Sequence, residues 1–152
     1  CALAQTLEVI GERWTLMILR DAFFGVKRFG QFQKSLGISK NILTTRLNQL
    51  VDEGIMVKQP SADGAHQDYL LTERGYDLQP VLLSLMQWGD KHKPNAAGDR
   101  LVFVERGTGQ PIRRMSAISQ DGRALTASEI RATAGPGLDE AARAQLARRD
   151  SR

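Results

Sequence analysis

The sequence is poor in the residues that build disulfides and metal centres, with one cysteine and two histidines among 152 residues. A single cysteine can form no internal disulfide and cannot supply a zinc cluster, so we expect no bound metal and a reducing, cytoplasmic environment. Long apolar runs are also missing: none approaches the roughly 18 residues that cross a bilayer, and no basic start followed by an apolar stretch indicates a secretion signal. We therefore expect neither a membrane partner nor secretion.

Recognisable catalytic patterns are absent as well. The sequence has no Ser-His-Asp pattern in context, no glycine-rich phosphate-binding motif and no metal-ligand spacing. Its isolated acids form no known constellation. We therefore predict that the protein is not an enzyme and binds no cofactor, so that charge distribution and helical pattern carry the functional information.

Charge is distributed unevenly along the chain, although its formal net value is only +4. Residues 1–93 contain eleven Lys or Arg and ten Asp or Glu, whereas residues 98–152 contain ten Arg, no Lys and seven acids. The segment between them, which contains a proline and a glycine, has the composition of a linker. The sequence thus predicts a larger N-terminal domain over 1–93, a linker over 94–98 and a C-terminal extension over 99–152.

The first domain begins as a series of short amphipathic helices. Apolar residues recur at helical spacing in each segment, and glycines separate the segments. Ser39 is a predicted N-cap, because its hydroxyl can accept a hydrogen bond from a free amide of the next turn. The fourth helix is predicted to bury a stripe formed by Leu43, Leu47, Leu50 and Val51. The predicted helices cover residues 2–10, 13–24, 29–36 and 41–53.

The periodicity then changes from that of helices to that of strands. Residues 55–59 and 69–72 have the pattern of strands, and the Asp-Gly pair between them is a strong hairpin signal. A single last helix is predicted to follow, capped by Thr72 and running to about Lys91, with a kink at Pro80. Three helices, a tight turn, a fourth helix, a hairpin and a final helix are the order of a winged helix-turn-helix domain, an α+β fold.

The C-terminal extension is predicted to be small, β-rich and helical. Residues 101–104 and 112–119 have the composition of short strands, Thr126 begins a capping box, and residues 138–149 form an alanine-rich helix. Because the extension contains no cysteine, a zinc ribbon is excluded there.

The predicted helix-turn-helix contains no acidic residue between Asp21 and Asp52. An acid in this interval would repel a nucleic-acid backbone, whereas each Lys or Arg can displace a condensed counterion. A solvated basic face is the alternative, but its coincidence with the helix-turn-helix order favours binding of double-stranded DNA. Arg46 borders the apolar stripe, so a local ion pair is its alternative role. The predicted phosphate contacts are Lys27, Arg28, Lys34, Ser39 and Arg46.

The fourth helix presents a polar face opposite its leucines. Asn can form paired hydrogen bonds with adenine, Thr can contact a thymine methyl, and Lys can reach guanine. The N-terminal turns of a recognition helix contact bases, which ranks Asn48 and Gln49 below the earlier positions. An ordinary exposed face is the alternative for each of them, and a plain surface histidine is the alternative for His66. The predicted base-reading residues are Lys40, Asn41, Thr44, Thr45 and Asn48, and the predicted wing contacts are Lys58 and His66.

Several motifs occur in a fixed order along residues 1–93: Cys1; Glu8-Val9-Ile10-Gly11-Glu12-Arg13-Trp14-Thr15 with Leu19-Arg20; Arg28-Phe29-Gly30-Gln31-Phe32; Ile38-Ser39 with Leu43-Thr44-Thr45-Arg46-Leu47; and Tyr69-Leu70-Leu71-Thr72-Glu73-Arg74-Gly75 with Trp88-Gly89. Together they resemble the HxlR-type winged-helix regulators, which are related to the MarR group. The resemblance implies a transcriptional repressor or activator. It also implies a homodimer in which the first helix and the last long helix pack between subunits.

Two positions bear on how far the resemblance extends. Family members usually carry an arginine on the wing before the returning strand, where this sequence has His66, which implies weaker wing contacts. Some members use an N-terminal cysteine, matching Cys1, as a redox sensor. No basic neighbour is evident in the sequence to activate it, so a small buried or merely retained cysteine is the preferred interpretation.

Two further hypotheses concern the partner of this protein. A winged helix can bind another protein without a basic recognition surface, and salt-sensitive binding to duplex DNA would distinguish the two functions. A regulator that responds to a small effector, bound beside the last helix or beneath the extension, is compatible with DNA binding. No residue in the sequence identifies such an effector.

Overall fold

The computed structural model describes residues 1–150, and their side chains as far as Arg148. The chain divides into two compact units, with the boundary between Met115 and Ser116. The first unit begins with four helices: α1 (Ala2–Ile10), α2 (Arg13–Phe23), α3 (Phe29–Leu36) and α4 (Lys40–Asp52). Their order and approximate limits confirm the helices predicted from apolar spacing.

A short connection joins α3 to α4. Gly37, which follows α3, has a φ of +62°, a left-handed conformation that glycine adopts without a steric penalty. Two residues later the hydroxyl of Ser39 accepts a hydrogen bond from the backbone N of Ile42 at 3.3 Å, as the predicted N-cap requires. The connection therefore fixes the direction in which α4 leaves α3.

The wing is a two-stranded antiparallel hairpin of β1 (Met56–Pro60) and β2 (Gln67–Leu71), paired from Met56 opposite Leu71 to Pro60 opposite Gln67. On the other side of β2, the backbone N of Tyr69 donates to the carbonyl of Lys27 at 2.7 Å. Within the described residues β1 pairs with β2 alone, so it is the edge strand. The hairpin is thus attached to the segment that precedes α3.

The prediction of a single kinked helix directly after the hairpin is wrong, because two separate helices lie there. They are α5 (Glu73–Tyr76) and α6 (Gln79–His92). Thr72 does cap α5, as its hydroxyl accepts from the backbone N of Gly75 at 3.2 Å. Pro80 lies in the first turn of α6, where the N–H that proline lacks would have no helical partner. Proline is therefore compatible with the start of α6 and does not kink a longer helix.

One hydrophobic core holds the helices and the hairpin together. Leu43, Leu47 and Leu50 of α4 are fully buried, and Val51 packs partly buried beside them, which confirms the predicted apolar stripe. Since one face of α4 is fixed by buried leucines, its opposite face is left at the surface. The other buried apolar residues are Ile10, Ile18, Leu19, Phe32, Ile38, Ile55, Met56, Tyr69 and Leu82.

The two strands predicted in the extension are wrong. Among the described residues beyond α6, the first unit has one isolated bridge, between Val104 and Pro111, and the second unit has one between Ile118 and Ala124. Pro111 has no N–H to donate, so a ladder cannot extend through it in the usual way. The predicted capping box is confirmed: the carboxylate of Glu129 accepts from the backbone N of Thr126 at 2.8 Å, at the start of a short 3-10 turn. The second unit also contains α7 (Glu140–Asp150).

Among residues 1–150, no helix is both long enough and apolar enough to cross a membrane.

Candidate nucleic-acid interface

The outer face of α4 carries the five predicted base-reading side chains, and all five are exposed: Lys40, Asn41, Thr44, Thr45 and Asn48. The hydroxyl of Thr44 donates to the carbonyl of Lys40 at 2.8 Å, and that of Thr45 to the carbonyl of Asn41 at 3.0 Å. Both hydroxyl protons are therefore engaged with backbone of the same helix. Each threonine therefore exposes its methyl group and its oxygen lone pairs to solvent.

Ile42 is an apolar residue that sequence reasoning did not assign to this surface. It lies in the first turn of α4 and is 41% exposed, whereas the neighbouring Leu43 is fully buried. At about 100° per residue, position 42 falls outside the stripe formed by the leucines. That mismatch is the sequence signal that could have identified it. An exposed isoleucine adds a methyl-contacting group to the polar face.

Lys27 and Arg28 precede α3 and are paired with acids of the wing. The amine of Lys27 lies 3.2 Å from a carboxylate oxygen of Asp68, and Nε of Arg28 lies 3.6 Å from the other. Nη2 of Arg28 is also 3.7 Å from a carboxylate oxygen of Asp63. Asp68 is only 4% exposed. Two of the predicted phosphate contacts thus have internal counterions, which sequence reasoning missed.

Lys34 and Lys40 lack such counterions. Lys34 lies near the end of α3 and Lys40 begins α4, and both are exposed. Within the part of the chain that the structure describes, neither amine forms an ion pair. Ser39, between them, keeps an exposed position while it caps α4. The helix start supplies unpaired backbone N–H groups, which favour anions.

Arg46 forms the local ion pair that the sequence offered as its alternative role. Its Nη2 lies 3.5 Å from a carboxylate oxygen of Glu12, and its Nη1 donates to the side-chain oxygen of Gln49 at 3.1 Å. Gln49 in turn donates to the carbonyl of Glu8 at 3.5 Å. The Arg46 side chain is only 24% exposed. These contacts connect the flank of α4 to the end of α1 and the start of α2.

The wing carries both predicted contact residues at its surface. Lys58 is exposed and its amine lies 5.6 Å from the ring centre of Tyr69, a cation–π distance. His66 is exposed at the end of the loop. The hydroxyl of Ser61 donates to the carboxylate of Asp63, and this hydrogen bond is the main reason that the pKa of Asp63 lies below its usual value. The loop therefore presents a negative charge near Arg28 and His66.

Apolar side chains lie exposed on two helices away from the α4 face. Leu3 and Leu7 of α1 are 65% and 53% exposed, and Trp88 of α6 is 60% exposed. Val81 and Leu85 extend the exposed apolar row of α6. Complete burial of a large apolar side chain is favourable by about 1.5–3 kcal/mol, and burial of the exposed part of each of these residues gives a fraction of that.

Cys1 lies at the start of α1 and is exposed, in contrast to the buried position considered from sequence. Among residues 1–150, no group of three or more His, Cys, Asp or Glu side chains is arranged to hold a metal ion.

Comparison with known proteins identifies similar chains over most of this sequence. A family model described as HxlR-like helix-turn-helix matches residues 9–97. An uncharacterised HTH-type transcriptional regulator of Mycobacterium tuberculosis is 39% identical over 138 residues, which cover 90% of this chain and 87% of the relative. An uncharacterised protein of Bacillus subtilis, 34% identical over 95 residues, is likewise described as an HTH-type transcriptional regulator.

Two solved structures have a similar fold. The crystal structure of PA1607, described as a candidate transcription factor, has a TM-score of 0.81 and 44% identity, with 88% of this chain and 94% of that chain covered. The redox regulator HypR in its reduced form has a TM-score of 0.57 and 29% identity, over 61% of this chain and 94% of its own. The winged helix-turn-helix fold expected from the sequence is thereby confirmed.

Proposed function

The chain belongs to the HxlR-like helix-turn-helix family, and from that premise we propose that it regulates transcription as a homodimer that binds double-stranded DNA. The observation that carries the proposal is the outer face of α4. This face is exposed and polar, no acid occurs before the last turn of the helix, and buried leucines fix its opposite side. A rigid helix with such a surface fits the major groove, where side-chain amides, hydroxyls and methyls distinguish base pairs.

In the proposed complex the first turns of α4 contact bases. Lys40, Asn41, Thr44, Thr45 and Asn48 have the chemistry for direct readout, and Ile42 adds an apolar group for thymine methyls. Because both threonine hydroxyls already donate within α4, we assign thymine-methyl contacts rather than donated hydrogen bonds to them. Two subunits would place their α4 helices in successive major grooves about one helical turn apart.

Phosphate contacts are assigned first to Lys34 and to the start of α4. Lys34 has an exposed amine without an ion pair among the described residues, and Ser39 stands at a helix N-terminus. Lys27, Arg28 and Arg46 reach DNA only by exchanging a carboxylate for a phosphate, since each is paired within the chain. Of the wing residues, Lys58 is exposed in β1 and His66 is exposed before β2.

The exposed apolar rows of α1 and α6 support the proposed homodimer. Leu3, Leu7, Leu85 and Trp88 together would leave a large apolar surface in water if the chain were alone. Packing of α1 and α6 between subunits buries these side chains. Light scattering should give twice the mass of one chain, and Trp88→Glu should shift the mass toward a single chain because it places a charge in the interface.

A redox response through Cys1 stays a prediction. Its support is the exposed position of the thiol and the similarity to HypR, which is itself described as a redox regulator. The DNA-binding experiments therefore use both reduced and peroxide-treated protein. A change in affinity that disappears in Cys1→Ser would support the response.

The test of the proposed function is selection of genomic fragments by the purified protein, followed by salt titration on the best fragment. We expect enrichment of a two-fold symmetric site and a steep fall of affinity with salt. Asn41→Ala should relax base preference, whereas Lys34→Ala should weaken all sequences alike and reduce the salt slope by about one for each subunit, about two for the dimer. Lys93→Ala, which also removes an exposed lysine, serves as the matched control. Absence of enrichment in both redox states would contradict the proposal and favour a protein partner.

A further inference from the structure

The tip of the wing holds one carboxylate in a defined place. Asp63 accepts hydrogen bonds from the hydroxyl of Ser61 and, at 3.1 Å, from the backbone N of Ala65. Both bonds favour the charged form, so the pKa of Asp63 is lowered, and the hydroxyl of Ser61 contributes most. The loop therefore presents a fixed negative charge at neutral pH.

This charge faces the basic residue that begins the helix-turn-helix. Nη2 of Arg28 lies 3.7 Å from a carboxylate oxygen of Asp63, while its Nε lies 3.6 Å from Asp68. The two acids differ in exposure. The side chain of Asp68 is 6% exposed and is shared with Lys27, whereas that of Asp63 is 56% exposed. Asp68 is thus a buried ion-pair partner, whereas Asp63 is the exposed carboxylate that can separate from the Arg28 guanidinium.

We infer that the Asp63 carboxylate takes the place of a DNA phosphate on the Arg28 guanidinium in the free protein. In this way it lowers the affinity of the protein for every duplex sequence. This inference rests on the proposed DNA-binding function. An arginine recognises carboxylate and phosphate with the same donor geometry, so the two anions compete for one site. The wing of this protein then limits binding, which is the opposite of the usual role of a basic wing.

The expected effect is moderate, because both side chains are partly exposed. Exposed ion pairs of this kind contribute little, and their loss corresponds to about a threefold change in an equilibrium constant. In a complex with two subunits the changes multiply, so removal of the Asp63 charge should tighten DNA binding about tenfold. The gain should be equal on specific and unrelated duplexes, since phosphates are common to both.

The second unit supplies a matched control. Ser119-Gln120-Asp121-Gly122 repeats the Ser-x-Asp-Gly sequence of the wing turn, and the hydroxyl of Ser119 donates to the carboxylate of Asp121. The side chain of the following Arg123 pairs with Glu129 at 2.7 Å. Asp121 forms no ion pair among the described residues. Asp121→Asn therefore makes the same change of charge in the same kind of turn, without an arginine to release.

The experiment compares wild type, Asp63→Asn and Asp121→Asn on one selected fragment and one unrelated duplex over a range of salt. Asparagine keeps the acceptor for Ser61 and Ala65, and thermal melting checks that each variant folds. We expect Asp63→Asn to bind both duplexes about tenfold more tightly than Asp121→Asn. In an Arg28→Ala background the two asparagine variants should bind equally, because the competing pair no longer exists.

The outcomes separate this inference from the proposed function. If the wild type binds no duplex under any salt condition, both are overturned. If the wild type binds DNA but Asp63→Asn and Asp121→Asn have equal affinities, only the role of Asp63 is overturned. A loss of affinity in Asp63→Asn would also overturn it, since that result makes the carboxylate a structural support of the wing.

Discussion

Substitution of Gly75 by alanine should destabilise the whole first unit. Gly75 lies in α5, where the helix begins directly after β2. A Cβ at this position would lie 2.3 Å from the backbone oxygen of Ile55 and 3.0 Å from a methyl group of Leu71. The first distance is shorter than any real contact of a carbon with a carbonyl oxygen, so the backbone has to move.

The size of the expected loss in unfolding free energy follows from the hydrogen bond that the carbonyl of Ile55 already accepts. It accepts a hydrogen bond from the backbone N of Thr72 at 3.0 Å, and a shift of about 1 Å would break that bond. Overpacking costs about 1–3 kcal/mol, and loss of a hydrogen bond adds about 1 kcal/mol. We expect Gly75→Ala to lower the free energy of unfolding by about 3 kcal/mol and the melting temperature by about 10 °C.

Urea unfolding followed by circular dichroism measures this loss, at one fixed protein concentration because association affects stability. Gly30→Ala is the control. Gly30 lies in α3, and a Cβ there meets nothing within 4 Å. The control should be neutral or up to about 1 kcal/mol more stable, since alanine favours a helix. If the two variants unfold within about 1 kcal/mol of each other, the steric reasoning is refuted.

Three further predictions concern readout, packing and pH. Thr45→Val should keep the base preference in the fragment assay and Thr45→Ser should lose it, because the hydroxyl proton is engaged within α4 and the methyl group remains to contact DNA. Leu47→Ala should lower the free energy of unfolding by about 3 kcal/mol in urea titrations, because it opens a cavity beneath α4. Hydrogen bonds lower the pKa of Asp63, Asp121 and Glu129, so the stability that they supply should be present above about pH 4 and be lost as pH falls further, which unfolding titrations between pH 2 and 6 would show.

The helices and the hairpin of the first unit could be predicted because their signals are local. The leucines of α4 recur at helical spacing, and Ser39 and Gly37 mark the ends of neighbouring helices. Pro80 is the exception. A proline within a helical pattern can mark either a kink or a helix start. The choice depends on whether the four residues before it belong to the same helix, because only then does the missing N–H leave a helical carbonyl without its partner.

The ion pairs of Lys27 and Arg28 could not be predicted, because they join distant parts of the chain. Asp68 follows Lys27 by some forty positions, and only the docking of β2 beside the segment before α3 brings them together. From the sequence, Lys27, Arg28 and Lys34 are all predicted to contact phosphate, and a local ion pair is an alternative only for Arg46. In the structure Lys34 has no carboxylate partner among the described residues. Arg28, in contrast, pairs with Asp63, and Arg46 pairs with Glu12.

The edge position of β1 has a consequence for the behaviour of the protein in a crowded solution. A strand with one open side can pair with the strand of another molecule and start an aggregate. Here the open strand is only five residues long, carries Lys58 and ends at Pro60, which has no N–H to donate. The wing therefore resists growth of its sheet, and a longer or less charged hairpin at this place would be expected to make the protein less soluble.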